Sequence, residues 1–468
     1  MAREIGIRDV AGGRVHMVGI GGSSMSGLAK MLLEKGYTVT GSDRDDSYHA
    51  RDAASAGAEV WIGHRAEQVH GADLVVYTAA IPKDNPERTE AERLGIPSME
   101  RAELLGQMML GCDPCIAVCG AHGKTTTTAM LAQILMACKK DPSIHIGERL
   151  EALGSSVRVG HSGMFLAEAC EFNRSFLHMH PTMAVVLNID ADHLDCYRDI
   201  DEIEETFGQF LDLLPADGVA VGKGTDPRIM RLFAKPGRKC VTFGLTDACD
   251  WHPAGYAEDD AGYARFTAVF RGEAMGEVSL KVPGAFNVEN ALAALAAAHE
   301  AGCDPRTAAE AVSDFRGAHR RFEKTGELNG AEMFHDYGHN PAEMRNALSI
   351  ARKRCKGRLV AVMQPHTFSR VKALFDDYVV CTGIADTTIV TDICAAREKD
   401  PGDINSRMLV DGMRANGIDA HLTPSFDDAE AWLREHLHPG DLAITMGCGD
   451  INRLNDQIEK HERERASN

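Results

Sequence analysis

The sequence predicts an α/β protein of three domains, and three observations predict it. Short apolar runs that end at glycine and flow into helix-period segments occur twice, at residues 15–36 and 115–131. The stretch 250–283 departs from that rhythm and alternates, as antiparallel hairpins do. A last set of apolar runs, RLVAVM, TTIVTDI and LAITMG, is again spaced by helix-length segments. At 468 residues the chain has room for roughly three domains of about 150 residues. The expected architecture is a Rossmann-like N-terminal domain over 1–110, a central P-loop ATPase-like domain over 111–316, with a parallel sheet plus small antiparallel hairpins, and a C-terminal Rossmann-like α/β domain over 317–468.

In the first domain VHMVGI (Val15 to Ile20) reads as a buried strand ending at glycine. Met25, Leu28, Ala29, Leu32 and Leu33 then recur at helical spacing until Gly36, and YTVTGSD is the next strand, closing a βαβ unit at Asp43. LVVYTAA (Leu74 to Ala80) is a further strand, running into the turn-rich IPKDNPE. In the second domain CIAVCG, GMFLAEA and MAVVLNI are strands with little polar interruption, as expected where helices cover both faces of a sheet. NVENALAALAAAHEAG is a helix closed by Gly302, and GAHRRFEK opens the third domain. The charged tail IEKHERERASN is expected to fray.

Composition narrows the function. The apolar fraction of 44% and charged fraction of 25% are those of a globular protein. A formal net charge of −19 argues against non-specific nucleic-acid binding, which needs basic surface. No apolar run reaches the roughly 18 residues of a membrane span, and the charged N-terminus lacks a signal core, so a cytoplasmic protein is expected. The 13 cysteines are scattered, Cys112 and Cys115 apart, and read as reduced structural thiols.

The chemistry centres on VCGAHGKTTTTAML, residues 118–131. A strand feeding a glycine turn and then a helix aims backbone N–H groups and the helix dipole at one point. Lys124 would meet the β/γ-phosphates of a nucleotide, and Thr125 would offer a hydroxyl to Mg²⁺. Strand ends on the same edge carry acids: Glu168 and Glu171 in one, Asp190, Asp192, His193 and Asp195 in another. The earlier turn GIGGSSMSG, with Gly19, Gly21 and Asp43, imitates a dinucleotide fingerprint, but Ser24 stands where the third glycine belongs. A diphosphate at the helix start, with Asp43 near a ribose or base, fits better than NAD. In the third domain HDYGHNP and QPHTFSR place Asp336 and His339 on a turn, and His366 and Arg370 at a helix start; an arginine fork matches a carboxylate.

Taken in order, G-x-H-G-K-T-T-T-T, E-A-C-E, N-I-x-A-D-H-L-D, N-V-x-N-A-L-A-A, R-R-F-E and D-Y-G-H-x-P resemble the Mur ligases, ATP-dependent amide-forming enzymes of bacterial cell-wall precursor synthesis, over essentially the whole chain. G-I-G-G-x-x-M-S-G with G-S-D, and Q-P-H-x-x-S-R, are most similar to the members that join L-alanine to the lactyl carboxylate of UDP-N-acetylmuramate. The resemblance implies ATP binding by Gly120, Ala121, His122, Gly123, Lys124, Thr125 and Thr126, with Asn290 and Arg321 also on the nucleotide. It implies Mg²⁺, with Mn²⁺ able to substitute, at Thr125, Glu168 and His193. It implies UDP-sugar binding by Gly21, Gly22, Ser23, Ser24, Asp43, Thr78, Ala79 and Ala80, and an amino-acid site with His366 and with Arg370 on the alanine carboxylate. Lys124, Glu168, His193, Asp336 and His339 are the implied catalytic set, and His193, Asp336 and His339 all stand as candidate bases for the amine. A monomer or homodimer is expected.

The chain departs from the family's pattern at Ser24, at Phe286 before Asn287, at Asn340, and at Thr367, where some members have arginine. With no lysine between Arg198 and Lys223, the carbamylated lysine of some siblings is expected to be absent. The rival readings are a sibling that joins a tripeptide to the same sugar nucleotide, a P-loop switch or motor, and an NAD-binding regulator.

Overall fold

The computed structural model describes residues 6–150, 153–191, 196–396 and 398–466. They form three sheets in two compact units, one spanning residues up to Tyr256 with Arg265–Leu280 and Phe286–Phe315, the other Ala257–Ala264, Lys281–Ala285 and Arg316 onward.

The first sheet has strands β1 (Arg14–Val18), β2 (Thr38–Asp43), β3 (Glu59–Ile62), β4 (Leu74–Tyr77) and β5 (Ser98–Glu100) in the order β3-β2-β1-β4-β5. All its pairs are parallel. The order reverses between β1 and β4, which opens a crevice at the carboxyl ends of those strands. The expected strand over 74–80 stops at Tyr77; Thr78, Ala79 and Ala80 have left the sheet as an edge turn, with both alanines exposed.

The second sheet comprises β6 (Cys115–Cys119), β7 (Ser143–Leu150), β8 (Ser155–Arg158), β9 (Phe165–Glu168), β10 (Met183–Val186), β11 (Val219–Lys223), β12 (Lys239–Phe243), β13 (Trp251–Glu258), β14 (Tyr263–Phe270) and β15 (Glu273–Pro283). β6 lies between β10 and β9, parallel to both. β13, β14 and β15 are sequential neighbours joined by short loops, as expected of the alternating stretch.

Within this first unit the two sheets share one apolar core. It runs from Met17, Met25 and Leu28 through Leu104 and Leu105 to Phe165, Phe176 and Phe207. Around that core the helices of the first sheet meet the second at close quarters. Ser24 Oγ lies 3.0 Å from His145 Nε2 on β7. Arg101 Nη1 donates to the same hydroxyl at 3.1 Å, and Lys30 Nζ reaches Ser155 Oγ at 3.4 Å. Burial, with the nearby Arg101 charge, lowers the His145 pKa to about 4. The folded state therefore holds this ring neutral, while the unfolded chain takes a proton near pH 6.5. Its contribution is complete above pH 6.5 and is lost as pH falls toward 4. His335 in the second unit, lowered to about 3 by burial and Arg320, acts in the same direction. Urea titrations are expected to show about 2 kcal/mol less stability per such ring at pH 5 than at pH 7.5, and His145→Gln should remove one share of that slope.

The second unit carries β16 (Glu323–Leu328), β17 (Ala331–Asp336), β18 (Leu359–Met363), β19 (Thr387–Val390), β20 (Ala420–Leu422) and β21 (Leu442–Met446) in the order β16-β17-β21-β18-β19-β20. Only the β16–β17 pair is antiparallel. Alternate residues of β18 split between two cores, Leu359, Ala361 and Met363 on one face, Val360 and Val362 on the other, so the sheet is covered on both sides. The tail does not fray as expected: a helix spans Asn452–Ala466. Leu454 and Ile458 bury one face of it, and Arg434 reaches Glu462. A charged segment with an apolar stripe finds its partner only through tertiary packing. No helix among the described residues is long and apolar enough to cross a membrane.

Candidate active site

β6 ends at Cys119, and the loop Gly120 to Gly123 leads into the helix Lys124–Ala137. Both glycines are required by geometry. Gly120 has φ +141°, and a Cβ there would sit 3.0 Å from Leu187 Cβ and 3.2 Å from the Asn188 nitrogen. Gly123 has φ +86°, and a Cβ would lie 2.6 Å from Asn290 Oδ1. Asn188, just past the end of β10, fixes the loop: it accepts from His122 N at 2.9 Å and donates to His122 O at 2.9 Å. His122 also lies 3.5 Å from Asp190 and, by that hydrogen bond, holds its carboxyl below the ordinary range.

Lys124 folds back over the loop. Its Nζ donates to Gly120 O at 2.5 Å, to Ala121 O at 3.1 Å and to Glu171 Oε1 at 2.9 Å. Glu171 is buried, and its own carbonyl accepts from Tyr197 OH. The sequence reading grouped Glu171 with the metal-facing acids; here it is the counter-ion of the phosphate-loop lysine. Glu168 closes β9 opposite Val118 of β6, so it shares the carboxyl edge with the loop. Thr125 is buried in the first turn of the helix. Asn290, from the helix Ala285–Glu300, accepts from Thr127 Oγ1 at 3.2 Å and donates to Asn287 Oδ1 at 3.0 Å, supporting the loop from behind.

A nucleotide polyphosphate fits this arrangement: a backbone cradle that a side chain would fill, a helix start with no side-chain cap, and a cation at its mouth. For Mg²⁺ the donors within the described residues are Thr125 and Glu168. No group of three or more His, Cys, Asp or Glu is arranged for a metal among the described residues, and His193, the third expected ligand, lies outside them, as do Asp192 and Asp195.

The first glycine turn is built differently. Gly21 N donates to Asp43 Oδ2 at 2.8 Å, Asp45 N to Asp43 Oδ1 at 3.1 Å, and Ser47 Oγ to Gly21 O at 3.1 Å. Asp43 thus shapes the turn between β1 and the helix Ser23–Glu34, whose first residues Ser23 and Ser24 follow Gly22 directly. The side chain that departs from the fingerprint, Ser24, is the one gripped by His145 and Arg101. Arg101 brings a cation to this helix start, and sequence reasoning missed it because it lies 77 positions from Ser24.

In the second unit, Asp336 at the end of β17 accepts from Phe322 N at 2.8 Å and Gly338 N at 2.7 Å. Burial raises its carboxyl, against the pull of Arg321 and of those two N–H groups. Arg320 (φ +62°) and Phe322 (φ +45°) flank Arg321 in left-handed backbone, a conformation that persists only where its surroundings impose it. Arg321 lies over the Tyr337 ring at 4.7 Å, and its buried Nε has no hydrogen-bond partner among the described residues. His339 Nδ1 is 3.4 Å from Glu343 Oε2. The His339 and His366 rings meet edge to face at 5.9 Å, and Arg370 Nη1 lies 3.3 Å from His366 Nδ1. The helix begins at Phe368, so His366 precedes it and Arg370 is within it. Asp336, Arg321, His339, His366 and Arg370 therefore belong to one face of one unit, as Gly120 to Thr126, Glu168 and Asn290 belong to one edge of the other.

Three family profiles match in sequence: the Mur ligase family catalytic domain over 14–111, the Mur ligase middle domain over 118–298 and the Mur ligase glutamate ligase domain over 320–449. A UDP-N-acetylmuramate–L-alanine ligase of Caldanaerobacter subterraneus subsp. tengcongensis is 43% identical over 445 residues, covering 95% of this chain and 97% of that protein. One of Acetivibrio thermocellus is 42% identical over 447 residues, with 95% of each chain covered. Among solved structures, the UDP-N-acetylmuramate-alanine ligase MurC of Thermotoga maritima superposes with a TM-score of 0.81 at 25% identity, over 97% of this chain and 100% of that one. A murein peptide ligase of Psychrobacter arcticus follows the same fold at TM-score 0.74 and 25% identity, over 96% and 98%. With profiles spanning most of its length and relatives above 40% identity end to end, the chain belongs to the Mur ligase family.

Proposed function

We propose that this enzyme joins L-alanine to the lactyl carboxylate of UDP-N-acetylmuramate at the expense of ATP. The observation that carries the reading is the lysine-bearing phosphate loop, its Nζ set between loop carbonyls and a buried glutamate, in a chain whose relatives at 40–43% identity bear the L-alanine ligase name. A carboxylate and an amine do not condense in water, because the oxygen that must leave is a poor leaving group. Phosphorylation of the carboxylate supplies a good one. That transfer leaves ADP, and attack by the amine on the acyl phosphate then forms the amide and expels inorganic phosphate. Two anions must meet in the first step, and Lys124 offsets their repulsion; Mg²⁺, held by Thr125, Glu168 and His193, would supply further positive charge. On this reading residues 1–110 grip the UDP moiety, 111–316 bind ATP, and 317–468 bring the amino acid, its carboxylate on Arg370 and its amine near Asp336 and His339. On this reading the reaction is cytoplasmic, where ATP and sugar nucleotides are available.

The test is phosphate release with ATP, Mg²⁺ and UDP-N-acetylmuramate while amino acids and a free tripeptide are scanned. L-Alanine is expected to give the highest kcat/KM. Release that ignores both co-substrates would point to a P-loop switch, and a preference for the tripeptide would point to the peptide-adding sibling. Arg101, beside the start of the helix that would hold the diphosphate, is expected to act in binding: Arg101→Ala should raise the KM for the sugar nucleotide about tenfold with kcat little changed.

A further inference from the structure

Two of the scattered cysteines meet at the far end of the phosphate-loop helix. That helix, Lys124–Ala137, is tied near its start to the helix Ala285–Glu300, where Thr127 Oγ1 donates to Asn290 Oδ1 at 3.2 Å. Cys138 caps the first helix at its carboxyl end, its N–H donating to Ile134 O at 2.9 Å. Cys303 closes the second: Gly302 turns the chain at φ +72°, and Cys303 N donates to Ala298 O at 2.9 Å. The two helices therefore run the same way and end side by side. A Cβ added at Gly302 would lie 3.4 Å from Lys140 Nζ, so the segments 138–140 and 302–303 abut. Across that contact the Cys138 and Cys303 thiols form a hydrogen-bonded pair.

The two thiols differ in access. Cys138 is half-buried, whereas Cys303 is buried. Burial, and after it the Cys138 thiol, push the Cys303 thiol up to about 12, while the Lys140 ammonium pulls the other way. An oxidant arriving from solvent therefore meets Cys138 first, and Cys303 waits behind it. Capping Cys138 removes the neighbour that raises Cys303 and leaves Lys140 to favour its thiolate, the attacking form.

We propose that Cys138 and Cys303 are a modification site, a dithiol that small-molecule disulfides such as glutathione disulfide close to an intramolecular disulfide. The Cys138 thiolate attacks one sulfur of glutathione disulfide, forming a Cys138–glutathione bond and expelling one glutathione thiolate. The Cys303 thiolate then attacks Cys138 Sγ, and the second glutathione leaves with the electron pair. The protein has lost two electrons and two protons, and one glutathione disulfide has become two glutathione molecules. In a reducing compartment the pair rests as thiols and closes under oxidation. The new bond staples the carboxyl ends of two helices already joined near their amino ends. It lies about 20 Å from Lys124, at 1.5 Å of rise per residue, so it stiffens the helix pair without entering the phosphate loop.

Peptide mapping of the full-length protein tests it. The protein is incubated with glutathione disulfide, its remaining thiols are alkylated, and a tryptic digest is read by mass spectrometry without reduction. The expected product is a cross-link between the peptides 125–139 and 282–306, each of which holds a single cysteine. The oxidised protein should melt about 5–10 °C higher, lose that gain on adding dithiothreitol, and keep its turnover within about twofold. Cys138→Ser and Cys303→Ala should each abolish the cross-link and the thermal gain, and leave the turnover of the reduced protein unchanged. Cys138→Ser changes a half-buried side chain, so it carries the test even if Cys303→Ala folds poorly. Glutathione left on Cys138 with no cross-link, Cys303 joined to a different cysteine, or a thermal gain that survives in Cys138→Ser overturns the assignment. So does full alkylation of both thiols after oxidation.

Discussion

Lys124→Ala is expected to lower the turnover of phosphate release by a factor on the order of 10²–10³, the usual cost of removing one preorganised charge from a phosphoryl-transfer site. The substitution has a second effect that must be separated from the first. Lys124 is the cation paired at 2.9 Å with Glu171, whose side chain is 3% exposed while that of Lys124 is 17% exposed. Deleting one partner of a buried pair costs about 3–5 kcal/mol, and the partial exposure of Lys124 puts this site at the lower end. A loss of activity alone would therefore be ambiguous. Lys124→Ala/Glu171→Gln resolves it, because the neutral amide no longer needs the cation. The double variant should regain most of the thermal stability and none of the turnover. If turnover returned with stability, Lys124 would be a structural residue, and the catalytic role assigned to the loop would be lost.

The parts of this site that were legible in the sequence are those set by local backbone demands. Gly120, Gly123 and Lys124 stand out because a strand-to-helix turn with φ above +80° tolerates only glycine at two places and because a lysine there has few other uses. The three sheets were readable for the same kind of reason: buried parallel strands such as CIAVC and LVAVM are unbroken apolar runs. What escaped depends on distance along the chain. The Ser24–His145 contact spans 121 positions and the Asn188–His122 clamp 66, and no periodicity encodes either. Asn188 lies inside the N-I-x-A-D-H-L-D motif and could have been singled out there; Arg101 and His145 lie in no motif. Glu171 was visible as an acid at a strand end, but only the folded chain shows that it faces Lys124. β3 and β16 were missed because both are edge strands with no long apolar run: EVWI has only four residues, and EKTGEL has one large apolar side chain. Thr367, noticed as a departure from the family, adopts φ +61° just before the Arg370 helix, a backbone state that no propensity predicts for a β-branched residue.

Gly106→Ala is expected to cost about 3 kcal/mol or more, the largest stability effect of any single methyl addition considered in this molecule. Gly106 lies in the helix Arg101–Met109, and a Cβ there would fall 1.8 Å from the His178 carbonyl oxygen and 2.8 Å from its carbonyl carbon. Both obstructing atoms are backbone, so no rotamer change relieves the clash, and the helix must move bodily. Gly27 provides the comparison. Its added Cβ would meet Val157 Cγ1 at 2.6 Å, a side-chain atom that can yield, so Gly27→Ala should cost about 1–2 kcal/mol. The consequence reaches function through position. His178 ends the 3₁₀ turn Phe172–His178, which begins at the residue after Glu171, while Arg101 heads the displaced helix. Forcing the two apart disturbs the counter-ion of the phosphate-loop lysine and the cation beside Ser24 together. Gly106→Ala should then raise the KM for the sugar nucleotide and lower kcat in the same variant, whereas Gly27→Ala should leave kcat near wild type. Equal melting temperatures for the two variants would mean that the helix and the turn do not pack backbone to backbone, and the coupling of substrate grip to phosphate loop drawn from that contact would fail with it.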